Sequence, residues 1–335
     1  PQHAGCSTCA AEQGRRVTRP QPYDAIVLGA GGAGLMCAAT AGQRGCRILL
    51  IDHNAEPGQK ILISGGGRCN LTNLSTPASC YQSANRHFAK SALARYTPQD
   101  FIALVERHNI AWHEKTLGQL FCDGSAKQIV AMLRAECARG QVEECYASAT
   151  QDVRHADGRF TVRHGERTST AANLVIATGG LSIPKLGATG LAYDLAKQFS
   201  LDVIPPRPAL VPLTLAGKDA LFQSLSGVAA PVIARAGKAR FREAALFTHK
   251  GLSGPAILQI SSEWQPGQPL TINFTPDQNP GWLIAAKAQA PRTRLAKNLA
   301  AHLPARLAEA LAERLKLDGQ LANLPDRTLS ETEHH

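Results

Sequence analysis

Gly29-Ala30-Gly31-Gly32-Ala33-Gly34 is a G-x-G-x-x-G string, the spacing that lets backbone cradle a dinucleotide pyrophosphate. In that role Gly29 allows a tight turn and Gly31 admits a phosphate without a side chain in the way. Gly34 lets a helix pack closely on the strand before it. Asp52 stands 18 residues beyond Gly34, where a carboxylate can accept from ribose hydroxyls. Three elements must position these residues. The apolar run at 25–28 predicts a buried parallel strand, 35–44 a helix of small residues, and 47–51 a second strand ending on Asp52. The helix N-terminus would turn free N–H groups and its positive dipole end toward the phosphates.

A second segment decides between NAD and FAD. Residues 56–73 read EPGQKILISGGGRCNLTN, with Gly65, Gly66 and Gly67 followed by Arg68, Cys69 and Asn70. Backbone bare of side chains can approach a flat ring, and Arg68 can meet a phosphate or the anionic edge of a flavin. At 173–180, NLVIATGG is an apolar strand stopping at Ala177-Thr178-Gly179, which resembles the second conserved loop of two-dinucleotide-fold flavoproteins.

Five strings then occur in order: GQKILISGGGRCNLTN, GQLFCDGSAKQIVAML, ATGGLSIPKLGATG, PALVPL and LFTHKGLSGPAIL. Together they resemble the YhiN/BaiN-type family of FAD-dependent oxidoreductases, from Tyr23 to the end of the chain. The resemblance implies an α/β fold, a Rossmann-like two-dinucleotide-fold FAD domain with an inserted β-barrel-like and helical domain. It implies FAD as cofactor and NAD(P)H as a transient electron donor, since only one G-x-G-x-x-G is present. The expected cofactor-binding set is Gly29, Ala30, Gly31, Gly32, Ala33, Gly34, Asp52, Lys60, Ser64, Gly66, Gly67, Arg68, Cys69, Asn70, Ala149, Ala177, Thr178 and Gly179. The implied reaction is reduction of a small organic acceptor, such as a carbon–carbon double bond conjugated to a ketone. The family's return to its FAD domain, with a Gly-Glu strand end and a Gly-Gly-Tyr-Asn turn, has no counterpart after Ser262. The expectation is therefore a shortened chain that binds FAD weakly or not at all.

The domain expectation is a disordered tail at 1–22, an FAD domain at 23–190 and a substrate domain at 191–335. The last is read as β-rich over 205–275 and helical over 285–317, with Pro205, Pro206 and Pro208 near the boundary. Within the FAD domain, helices are expected at 97–109 and 125–140, and strands at 143–163 around the turn Asp157-Gly158. With 44% hydrophobic and 19% charged residues, the composition is that of a soluble globular enzyme. Apolar runs are too short to span a membrane, and no secretion signal is legible, so a cytoplasmic enzyme is expected.

Nine cysteines between Cys6 and Cys145, odd in number and irregular in spacing, read as free thiols. Cys37 and Cys46 are read as core residues. The pair Cys6 and Cys9 lacks a second ligand pair, so no metal is expected. The net charge of +10 is scattered along the chain, and RNA stands as an alternative partner to a small-molecule substrate. Two alternative functions are an RNA-associated flavoprotein and a truncated, non-catalytic flavoprotein. The sequence sets no oligomeric state and no catalytic residue. His249, Tyr193 and Cys69 are the titratable candidates in family-like strings, each with a bland reading beside it: a turn-stabilising histidine, a helix-packing tyrosine, a small thiol against glycines.

Overall fold

A computed structural model describes residues 22–317 and 319–334. The tail read at 1–22, apart from Pro22 and including Cys6 and Cys9, lies outside the described residues. The chain forms two compact units, one running to Val203 and the other from Ile204.

The first unit holds strands β1 (Tyr23–Leu28), β2 (Ile48–Ile51), β3 (Asn70–Asn73), β4 (Trp112–Glu114), β5 (Gln119–Cys122), β6 (Glu143–Cys145), β7 (Thr150–Ala156), β8 (Arg159–His164) and β9 (Arg167–Ile176). Its helices are α1 (Gly32–Gly42), α2 (Gln59–Ile63), α3 (Lys90–Arg95), α4 (Pro98–Arg107), α5 (Ala126–Arg139) and α6 (Leu191–Gln198). The main sheet has the order β6-β2-β1-β9-β8-β7. Its first four strands pair in parallel, and β9-β8-β7 form an antiparallel meander. The two central parallel strands carry the apolar run (β2 reads ILLI and is buried along its length, and β1 is buried from Ile26 to Leu28) because both faces are covered there. One face packs on α1, α4 and α5, and the other joins Val153, Val162, Ala171 and Leu195.

Local signals set several boundaries. Thr97 and Asp100 form a capping box ahead of α4, and Ser125 and Gln128 do the same for α5. The turn Asp157-Gly158 has positive φ at both positions, as a tight hairpin requires. The small sheet β3-β5-β4 was not anticipated from the sequence. Glu136 of α5 is buried and accepts from Gln43, His108 and Arg139 at 2.8 Å each. Burial opposes its ionisation, yet these hydrogen bonds hold its carboxyl down to about 2. The seven described cysteines are free thiols. Cys46, expected in the core, is exposed because it precedes β2 instead of lying in it.

The second unit holds β10 (Leu213–Thr214), β11 (Ala229–Ala236), β12 (Ala239–Thr248), β13 (Gly251–Ser253) and β14 (Thr271–Asn273), with α7 (Pro255–Glu263), α8 (Trp282–Gln289), α9 (Leu295–Leu299), α10 (Ala305–Leu315) and α11 (Asp326–His334). The barrel-like expectation resolves into one antiparallel sheet, β10-β13-β12-β11-β14, with no pairing between its outer strands among the described residues. One face buries Ala230, Val232, Ala234, Ala245 and Phe247 against Ile257 and Ile260 of α7, which falls inside the span read as β-rich. The span read as helical divides into three helices, with Pro291 and Pro304 in the breaks, where a helix interior would lack an N–H donor. The domain boundary also differs from the expected 190/191. Leu191, Leu195 and Phe199, in and just after α6, pack into the first unit's core.

Candidate dinucleotide site

The turn between β1 and α1 is built by crowding on two sides and openness on a third. Gly29 has φ +101°, and a Cβ there would fall 2.5 Å from the Ala177 carbonyl oxygen. A Cβ on Gly34 would come within 1.8 Å of the Gly29 carbonyl oxygen, so α1 lies against the turn more closely than any side chain permits. A Cβ on Gly31, by contrast, would meet nothing within 4 Å. Gly31 is the N-cap of α1 and has no side chain to satisfy the helix's first N–H groups, which is the arrangement that receives an anion.

Asp52 sits at the end of β2 and ties the neighbouring strand ends together. Its Oδ2 accepts from the Ala30 N–H at 2.6 Å, and its Oδ1 accepts from the Asn54 N–H at 2.8 Å and Nδ2 at 3.1 Å. The two oxygens of a carboxylate offer about four lone-pair directions, so room remains for ribose hydroxyls. Ala149 lies close by in the chain, since Ser148 donates its N–H to the Asp52 carbonyl at 3.0 Å. The second turn, Ala177-Thr178-Gly179, follows β9 and is held by the Ala177 N–H to the Leu28 carbonyl at 2.8 Å. Thr178 Oγ1 is buried without a hydrogen-bond partner among the described residues. An open glycine, helix N–H groups, a carboxylate at the strand end and an unpaired hydroxyl are a donor set that fits FAD.

A cavity of about 510 Å³ adjoins this turn, within the range of cofactor and ligand sites. Six of the expected residues line it: Gly32, Ala33, Lys60, Ser64, Cys69 and Asn70. Tyr81, Tyr96 and Phe101 also line it and were missed, since lone aromatics in an unassigned stretch carry no sequence signal. Gly66 and Gly67 have positive φ, and Gly66 faces open space. Lys60 Nζ donates to Ser182 Oγ at 2.6 Å and stands 3.9 Å from a Cβ built on Gly179. Ser182 was also missed, although it lies within the quoted ATGGLSIPK string. The Arg68 side chain is exposed and has no hydrogen bond or ion pair among the described residues, while the Arg68 carbonyl accepts from the Cys122 N–H at 2.9 Å.

The three titratable candidates separate. Cys69 is buried with φ +55°, and burial pushes its thiol up, so it stays protonated at neutral pH. The Tyr193 hydroxyl reaches within 3.5 Å of a Cβ built on Gly180, beside the second turn. His249 belongs to the other unit and is exposed in the turn between β12 and β13. Thr248, not His249, holds that turn, its Oγ1 accepting from the Gly251 N–H at 3.2 Å and donating to the Gly251 carbonyl at 3.1 Å.

Fold and site together define a flavoprotein oxidoreductase with a Rossmann-like FAD domain. Residues 23–294 match the HI0933-like protein Rossmann domain, and the chain belongs to that family. It is 51% identical over 313 residues to a ribosomal RNA dihydrouridine synthase of Escherichia coli (strain K12), covering 92% of this chain and 76% of that one. A protein of the same name from Haemophilus influenzae is 44% identical over 89% of this chain and 76% of its own length. A 3-dehydro-bile acid delta(4,6)-reductase of Clostridium scindens is 27% identical over 70% of this chain and 59% of its own. These matches accord with the YhiN/BaiN-type resemblance. Among the described residues, no helix is long and apolar enough to cross a membrane.

Proposed function

We propose that this protein is an FAD-dependent reductase of uridines in RNA, adding two hydrogens across the pyrimidine C5=C6 bond with NAD(P)H as transient electron donor. The structural observation that carries the flavin part is the contrast within one turn, Gly31 open and Gly34 closed, with Asp52 at the next strand end. The reaction part is supported by chemistry common to the relatives. Dihydrouridine is uridine saturated at C5=C6, a bond conjugated to the C4 carbonyl. Unsaturation at positions 4 and 6 of a 3-oxo steroid is conjugated to its ketone in the same way. The reaction expected from the sequence, reduction of a double bond conjugated to a carbonyl, covers both. Identity of 51% against 27%, and a net charge of +10, favour the nucleic acid as substrate.

In this reading the N–H groups of the 29–34 turn and the α1 N-terminus hold the pyrophosphate, and Asp52 accepts from the adenosine ribose. Ser64, Gly66, Gly67 and Asn70 on one side, with Ala177, Thr178 and Gly179 on the other, border the ring system. FAD bound there supplies hydride to a polarised double bond, while the protein supplies orientation, a proton and shelter from water. Cys69, kept a thiol by burial, and Tyr193 both stand at these turns with a proton to give. Lys60 and Ser182 bring a cation and a hydroxyl to the same region, groups suited to negative charge on a carbonyl oxygen.

The test is to reconstitute the chain with FAD, add NADPH or NADH and ribosomal RNA lacking dihydrouridine, and analyse the nucleosides by mass spectrometry. Uridine gaining two hydrogens is the expected result. Flavin turnover with a small enone or a bile acid, and none with RNA, would overturn the RNA assignment and leave the second reading, a small-molecule reductase like the Clostridium relative.

A further inference from the structure

We propose that the tip of the β11–β12 hairpin grips RNA phosphates; this rests on the RNA reading above and extends it to a second surface. The two strands pair without a break from Ala229↔Leu246 to Ala236↔Ala239, around the two-residue turn Gly237-Lys238. Ala230, Val232, Ala234 and Ala236 are buried in the core, so alternation turns Arg235 to the other face. Register places Arg235 directly opposite Arg240 on one side and Thr271 of β14 on the other. Lys238 occupies the turn, and Arg242, one row along, pairs with Asp277.

Arg235, Lys238 and Arg240 are exposed and have no ion-pair partner among the described residues. Glu243, the acid nearest them on these strands, lies opposite Val232 and so belongs to the inward alternation. Like charges directly opposed across a strand pair repel. Two guanidiniums held side by side are therefore suited to an external polyanion, and their planar forks match phosphate oxygens. An anionic membrane would also draw cations, but interfacial binding calls for large apolar residues beside them. The tip offers only Ala236, Gly237 and Ala239 around Lys238. Phe241, the next large residue, packs against the unit's own core.

The experiment uses the full chain reconstituted with FAD and fluorescently labelled ribosomal RNA, with anisotropy followed over a salt series. Arg235→Ala with Arg240→Ala should weaken binding about tenfold or more and reduce the slope of log affinity against log salt by about 2. Flavin content and NADPH oxidation with a small enone should stay at the parent level. Arg235→Lys with Arg240→Lys should keep most of the salt slope. Arg292→Ala with Lys297→Ala, an equal loss of charge elsewhere in the same unit, should keep both affinity and slope. Parent-like RNA binding by the double alanine variant, or an equal loss in the Arg292/Lys297 control, would overturn the hairpin assignment while leaving the enzymatic reading intact. A parent that binds vesicles of anionic phospholipid and not RNA would overturn it as well. A parent that neither binds nor reduces RNA, yet turns over a small enone, would defeat the RNA reading itself.

Discussion

In SGGGRCN, residues 64–70, a side chain built on Gly66 would meet nothing within 4 Å, and one on Gly67 only the Leu62 carbonyl oxygen at 3.9 Å. In FTHKGLSGPA, residues 247–256, a Cβ on Gly251 would stand 2.1 Å from the Leu213 carbonyl oxygen, and one on Gly254 2.7 Å from that of Ala244. Both strings are selective in sequence, and both point to the same family. The first is mixed: Gly65 is closed, with Phe121 2.6 Å from a Cβ built there, while Gly66 and Gly67 leave open space, whereas the second keeps both of its glycines so that β13 and the start of α7 can lie against β10 and β12. The dinucleotide loop holds both situations three residues apart, in open Gly31 and closed Gly34. A glycine-rich string is thus a statement about proximity, and only the surroundings tell whether the close neighbour is a ligand or the protein's own backbone.

The sharpest way to break this distinction is at the closed positions. Gly34→Ala and, in the other unit, Gly251→Ala each push a methyl group into backbone that cannot yield, so each should cost more than about 4 kcal/mol. Soluble protein with a parent-like melting curve from either variant would mean that the crowding is not real. Gly31→Val is the opposite case. Its φ of −77° suits any residue, so the fold should lose no more than about 1 kcal/mol, the scale of a lost cap. Flavin binding, however, should be abolished, since the β-branched side chain fills the space of the pyrophosphate. A fully flavin-loaded Gly31→Val protein would sink the dinucleotide reading.

Asp52→Ala should weaken FAD binding by about 1.5–3 kcal/mol, the worth of hydrogen bonds to a charged group, as read from flavin retained on gel filtration at increasing dilution. Asp52→Asn offers a useful partner, because an amide can still accept from the Ala30 N–H that Asp52 now holds. If both variants lose flavin equally, the charge matters; if only the alanine does, the carboxylate chiefly shapes the turn. The smallest effect belongs to Gly66→Ala. Its φ of +67° makes a Cβ cost about 1–2 kcal/mol in thermal stability, with no clash to add to it. A severalfold drop in flavin affinity alongside would place Gly66 against the ring, and an unchanged affinity would leave it facing water.

What could be read before the fold was seen was mostly what depends on neighbours in the chain. The helices expected at 97–109 and 125–140 were legible because apolar periodicity and a capping residue such as Ser125 act over a few residues of chain. The Asp157-Gly158 turn was legible because left-handed φ selects those residue types. The sheet β3-β5-β4 was not, since its pairing joins Asn70 to Phe121 across some fifty residues of unrelated sequence. The domain boundary was misplaced for a similar reason. Helix α6 looks the same in sequence whichever core it joins, and packing of Leu195 assigns it to the first. The cations at 235, 238, 240 and 242 read as part of a scattered excess until strand register placed Arg235 across from Arg240.

The sequence by itself determined the strand–turn–helix that carries Gly29, Gly31 and Gly34, the acid at position 52, and the family to which the chain belongs, because these rest on residue type at fixed short spacing. Tertiary structure alone decided which glycines are open and which are closed. Among the described residues it left the Thr178 hydroxyl buried and unpaired, set Lys60 on Ser182, and exposed Arg235 beside Arg240 with no ion-pair partner. Each of these depends on what a distant segment brings within a few ångströms, and no local pattern records that.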